Sequence, residues 1–126
     1  MKEQKFRKLD VWKKAMNLVE EIYRMTEIFP QKELCGLTTQ LRRAANSIAL
    51  NIAEGSGADS DVEFKRFLTI ALRSNYELMC GLEIATRLEY CSESQRDNLL
   101  TQCDELAAML SSFCKRLRLS PLTAES

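Results

Sequence analysis

Apolar residues recur along this chain at alternating steps of three and four, and no stretch alternates apolar with polar as a half-buried strand would. The first stripe is Val11, Ala15, Leu18, Ile22, Met25 and Phe29, widened by Trp12 and Val19. Asp10 stands where an N-cap belongs, and Pro30 pushes the residue before it out of helical geometry. The spacing therefore predicts a first helix over about residues 10 to 29. Leu37, Leu41, Ala45, Ile48 and Ile52 share the face of a second helix, which begins between Glu33 and Thr38 and has Gly55 and Gly57 as its terminators. Ser60-Asp61-Val62-Glu63 is a capping-box pattern, and it opens a third helix carrying Phe64, Leu68, Ala71, Leu78, Leu82 and Ala85. Asn75 interrupts that stripe, while Gly81 costs about 1 kcal/mol relative to alanine and admits a close neighbour. Ser92 with Gln95 repeats the capping signature ahead of a fourth helix marked by Leu99, Cys103, Leu106, Leu110, Phe113 and Leu117.

Four amphipathic helices on short connections predict an all-α protein, an antiparallel up-down-up-down four-helix bundle. One domain over residues 1–119 accounts for the pattern, followed by a disordered tail at 120–126. The 126 residues, 45% hydrophobic and 29% charged, suit an ordinary globular domain with a core of its own. No apolar run approaches the roughly 18 residues of a membrane span, and MKEQKFRKLD lacks the apolar stretch of a secretory signal, so a cytoplasmic protein is expected.

Composition narrows the chemistry sharply. There is no histidine, which removes the commonest general base, metal ligand and pH switch. Cys35, Cys80, Cys91, Cys103 and Cys114 are odd in number and never spaced Cys-x-x-Cys, which argues against a disulfide framework or a zinc site and for thiols buried as small hydrophobes. Glu54 with Glu77 or Glu83 could form a carboxylate pair, yet inward-facing metal carboxylates of bundles come with Glu-x-x-His motifs, and none exists here. With no glycine-rich phosphate loop, nucleophile elbow or Cys–His pair, no catalytic residue, cofactor, metal or small-molecule substrate is expected. Net charge is zero but unevenly spread. Residues 1–14 carry a local +4, and Lys115, Arg116 and Arg118 add basic charge near the other end of the chain. Glu54 to Glu63, with Asp59 and Asp61 between, is acidic. Neutrality argues against a general grip on nucleic acid and leaves local basic surfaces.

The second helix raises a separate question. With Leu41 as origin, Gln40, Ser47, Asn51 and Glu54 fall together on one flank, roughly 80–140° from the apolar centre. Gly36 and Ala44 join that flank and Arg43 borders it. A solvated face is one reading. A second is an internal polar layer bonded to Ser74, Asn75 or Glu77 of the third helix, and a third is a subunit interface. Nearness to the apolar stripe favours the last two over the first.

Leu9-Asp10-Val11-Trp12, Phe29-Pro30, Gly36-Leu37-x-x-Gln40-Leu41-Arg42-Arg43-Ala44-Ala45, Asn51-Ile52-Ala53-Glu54-Gly55, Glu63-Phe64-x-x-Phe67-Leu68 and Ser74-x-x-Glu77-Leu78 together resemble the four-helix bundle proteins known as the 23S rRNA intervening-sequence or S23 ribosomal-protein family. The likeness spans about residues 6–118. Ala49 and Leu50 replace the proline and small residue usual before the asparagine, so a straighter second helix is expected. The resemblance implies an antiparallel bundle that assembles as a homopentamer, often encoded within ribosomal RNA gene insertions. A similar bundle serves diversity-generating retroelements as an accessory protein that binds nucleic acid and the reverse transcriptase, a role whose basic surface the neutral charge here does not supply. The leading expectation is a self-associating, non-enzymatic scaffold with RNA as a candidate partner, and Arg7, Lys8, Lys13, Lys14, Arg42 and Arg43 as candidate phosphate contacts. The alternative is a protein-interaction adaptor docking through the acidic loop or the basic tail.

Overall fold

Serine caps set where the last two helices begin, and the second is a full capping box. Ser60 Oγ accepts from the Glu63 amide at 3.2 Å. Ser92 Oγ accepts from the Gln95 amide at 3.1 Å while Gln95 Oε1 accepts from the Ser92 amide at 3.1 Å. In the computed structural model, which describes residues 4–118, the helices are α1 (Asp10–Thr26), α2 (Leu37–Ser56), α3 (Asp61–Arg87) and α4 (Glu93–Arg118). The predicted tail lies outside the described residues. Short 3-10 turns at Lys5–Lys8 and Gln31–Glu33 complete the elements, and no strand occurs among the described residues. Each helix packs against its sequence neighbours, and α1 closes against α4, giving the antiparallel four-helix bundle.

Two helix ends differ from the sequence-based expectation. The first helix stops at Thr26, whose Oγ1 donates to the Ile22 carbonyl at 2.7 Å, and the Phe29 amide then closes a turn onto the Thr26 carbonyl. Phe29 continued the apolar stripe because it is buried, at 8% exposure; it packs against the Tyr90 ring with centroids 5.3 Å apart. Asp10 is the first helical residue rather than a side-chain cap, and its charge complements the helix start. The second correction concerns the glycines of α2. Gly57 caps the helix with φ −93, and no described glycine has positive φ. Gly55 is inside α2, where a Cβ would lie 2.8 Å from Phe67 Cβ and 2.9 Å from Phe64 Cδ1. It is there to let α3 approach, not to end a helix. Across Ala49 and Leu50 α2 is unbroken.

The core is built from the predicted stripes, with Leu18, Ile22, Leu41, Ile48, Ile52, Leu68, Leu78, Leu82, Leu106 and Leu110 fully enclosed. Asn75 is enclosed with them at 0% exposure, its Nδ2 donating to the Cys103 carbonyl at 2.8 Å. That bond fixes the register of α3 against α4. The end of the bundle that holds both α1–α2 and α3–α4 connections is latched by Glu33. Its Oε1 accepts from the Leu37 amide at 3.1 Å and its Oε2 accepts from the Tyr90 hydroxyl at 2.8 Å. Glu89, at φ 63, turns the chain so that Tyr90 reaches this site.

These contacts make two measurable claims. Gly55→Ala is expected to lower the unfolding free energy by about 1–3 kcal/mol despite alanine's better helix propensity, because Phe64 and Phe67 have to move. Gly57→Ala, which meets only the Glu54 carbonyl at 3.6 Å, should change it by less than about 1 kcal/mol. Denaturant titration of both variants checks the contrast. The Leu37 amide and then the Tyr90 hydroxyl hold the Glu33 carboxyl below its usual 4.5. A carboxyl with a depressed folded pKa stabilises above its unfolded value and loses that contribution as pH falls through the folded one. The thermal midpoint of the wild type should therefore decline more steeply below pH 4.5 than that of Glu33→Gln, read from melting curves across that range.

Candidate polar seam and basic end

The polar flank of α2 lies along α3 and pairs with itself. Ser47 Oγ and Ser74 Oγ are 2.8 Å apart, and Asn51 Nδ2 donates to both the Ser47 carbonyl at 2.8 Å and Ser47 Oγ at 3.0 Å. Ser74 is buried, while Ser47 and Asn51 are half-buried. Gln40, Glu54 and Glu77 are exposed and take no part in these bonds. Asn75 faces the other way, toward α4. Beyond the serines, Gly81 leaves a recess of about 150 Å³ between Gln40, Leu41, Glu77, Cys80 and Ile84. Ile84 on its rim is 44% exposed. The outer wall of α2 and α3 thus carries a small, internally satisfied polar belt beside an apolar notch.

The basic residues sort differently from the sequence expectation. An even number of antiparallel helices returns the chain to the end where it started, so the start of α1 and the finish of α4 stand together. Lys8 and Arg116 accordingly line one cavity of about 550 Å³, floored by Leu9, Val11, Met109 and Phe113. The Arg116 guanidinium lies over the Phe113 ring at 5.2 Å, and Phe113 meets Phe64 edge-on at 5.0 Å. Lys5, Arg7, Lys13 and Lys115 are exposed on this same end. Lys14 instead bridges to Glu105 across α1 and α4. Arg42 is a clamp between α1 and α2, donating to Thr26 Oγ1 at 2.8 Å and lying over the Tyr23 ring at 4.6 Å. Arg43 is exposed on α2, roughly 20 Å along the helix from the basic end by the helical rise. Of the six candidate phosphate contacts, three gather at one end, two are held in bonds within the bundle, and one stands elsewhere.

The cysteines also divide. Cys103 is buried, and burial, with the Asp104 charge beside it, pushes its thiol up to about 12. Cys35 and Cys80 are exposed and Cys91 and Cys114 half-buried, which corrects the expectation of five enclosed thiols. Residue 80 sits about 200° from Leu78 around α3, on the outer face. The other displaced pKa values belong to the Glu33–Tyr90 latch and to Arg66 and Arg96, whose carboxylate neighbours raise them. No group of three or more cysteine, aspartate and glutamate side chains could hold a metal among the described residues. Among those residues no helix is long and apolar enough to cross a membrane.

The sequence reading missed the Lys8–Arg116 cavity and the Gly81 recess. The signal for the first was available in the topology, since both basic clusters flank the two chain ends of an antiparallel bundle. The second needed coordinates.

No curated protein matches the chain. A solved structure from Bacteroides thetaiotaomicron VPI-5482, described as a protein with unknown function from the S23 ribosomal protein family, is similar: 30% identity, a TM-score of 0.76, and coverage of 83% of this chain and 98% of that one. Residues 7–112 match the family described as 23S rRNA-intervening sequence protein, and the chain belongs to this family.

Proposed function

We propose that the chain is a non-catalytic scaffold that assembles with copies of itself through the α2–α3 wall, and that the assembly presents its basic ends to RNA. The observation that carries the first part is the Ser47–Asn51–Ser74 belt beside the Ile84 notch. Polar groups already bonded to one another cost little to cover, whereas unpaired ones cost about 1–3 kcal/mol each. Next to them, an exposed isoleucine over a glycine recess offers apolar area that only a neighbour can bury. A homopentamer is the form the family resemblance implies. RNA has support of its own in the gathering of Lys5, Arg7, Lys8, Lys13, Lys115 and Arg116 at one end. Repeated around a symmetry axis, that cluster makes a ring of charge invisible in the neutral count of a single chain.

Light scattering on the purified protein tests the assembly. The wild type should run at a multiple of 14.4 kDa, and Ile84→Asp should shift it toward the single-chain mass with helicity retained. A wild type at 14.4 kDa at all concentrations overturns the reading. For RNA, retention on an immobilised strand should fall steeply between about 50 and 200 mM salt, and Arg7→Glu/Lys13→Glu should remove it. Retention indifferent to salt would remove RNA from the account and leave the scaffold.

A further inference from the structure

The bundle has two unlike walls on opposite sides, and at one end they carry opposite charge. On the α2–α3 side, the last turn of α2, the connection and the first turn of α3 hold Glu54, Asp59, Asp61 and Glu63, with Val62 at 58% exposure among them. Among the described residues Glu63 pairs with Arg66, one turn along, in an exposed contact of little worth. Across the bundle, α1 and α4 are the least closely packed pair of adjacent helices. Their seam is held by the Lys14–Glu105 bridge and opens into cavities on both sides of it, of about 550 Å³ and 300 Å³. The larger one is lined by the small residues Ala108 and Ser112 of α4 opposite Leu9 and Val11, with two cations, Lys8 and Arg116, and one carboxylate, Asp10, around it.

We propose that the acidic α2–α3 loop of one copy docks into the α1–α4 cavity of the next, with Val62 directed to the apolar floor and Asp59 and its neighbours facing Lys8 and Arg116. This rests on the self-association reading, which puts the α2–α3 wall against another copy, and it names the opposite wall as the surface that receives it. Charge complementarity selects the occupant. The zero net charge of the chain conceals a basic end and an acidic loop, so each copy carries both halves of a matching pair. A two-fold pairing satisfies both contacts at once only where loop and cavity share one patch, and here they lie on opposite sides of the bundle, so the contact runs head to tail. Repetition of one such contact by rotation closes a ring. Exposed ion pairs at the rim contribute register and encounter rate, while Val62 supplies the apolar anchor.

Complementary variants test this. Lys8→Glu/Arg116→Glu disables the cavity and Asp59→Lys/Val62→Lys disables the loop; all four positions are exposed, so helicity by circular dichroism should match the wild type. Each variant alone is expected at the single-chain mass of 14.4 kDa. Mixed in equal amounts they should form a one-to-one dimer and nothing larger, because a single intact contact remains. Ser112→Trp, which fills the cavity without changing charge, should also lose the assembled mass. If both charge variants keep the wild-type mass, loop and cavity are not partners and the inference fails while the scaffold reading stands. Dispersal of each variant with no dimer on mixing also overturns it. A cavity variant that keeps its mass but loses RNA retention assigns the cavity to RNA, which again overturns it. A wild type that is a single chain defeats the scaffold reading first.

Discussion

Gly55 and Gly81 bring α2 and α3 to a separation at which a single added methyl group at either position meets the facing side chain. Most of the bundle follows from that approach. Ser47 and Ser74 bond directly because the backbones are near enough for two short side chains to touch, and Asn51 then completes the belt from the next turn. Longer polar residues at these positions would need a wider gap or would point outward, as Gln40 and Glu77 do. Leu41 fills the notch above Gly81 from the core side, so the same glycine serves internal packing and shapes the external recess.

The opposite seam lacks such a device. Between α1 and α4 the small residues Ala108 and Ser112 face a cavity lined from the other side by Leu9 and Val11. A tight wall and an open wall on one bundle make the molecule two-sided. The chain's topology then decides which charges accompany each side, since the acidic α2–α3 turn, the start of α1 and the finish of α4 share one end of the helices. Neutrality in the total and polarity in the parts are the same fact seen at two scales.

Legibility in the sequence followed the range of the interaction. Helical stripes are local, so Leu18, Ile48, Leu78 and Leu106 announced their burial through spacing alone. The caps at Ser60 and Ser92 are bonds over three residues and were equally plain. Phe29 extended its stripe past the helix because periodicity records burial and not backbone geometry. Gly55 has the sequence signature of a helix stop, while its true reason, the rings of Phe64 and Phe67, lies on another helix. Arg42 and Arg43 looked equivalent as neighbours in sequence, yet the 100° between them turns one into a clamp on Tyr23 and leaves the other exposed. The cavity at Lys8 and Arg116 was out of reach because a hydrophobic pattern predicts faces and says nothing of gaps between them.

The central claim is that this bundle's unlike walls are made for each other. Hydrogen exchange of the unmodified protein, followed by mass spectrometry from dilute to concentrated solution, tests it without altering a residue. The account predicts that segments 57–63 and 105–117 slow together over the same concentration range, while the Tyr23–Arg42 side of the bundle is unchanged. Slowing confined to one of the two segments, or to neither, would contradict it.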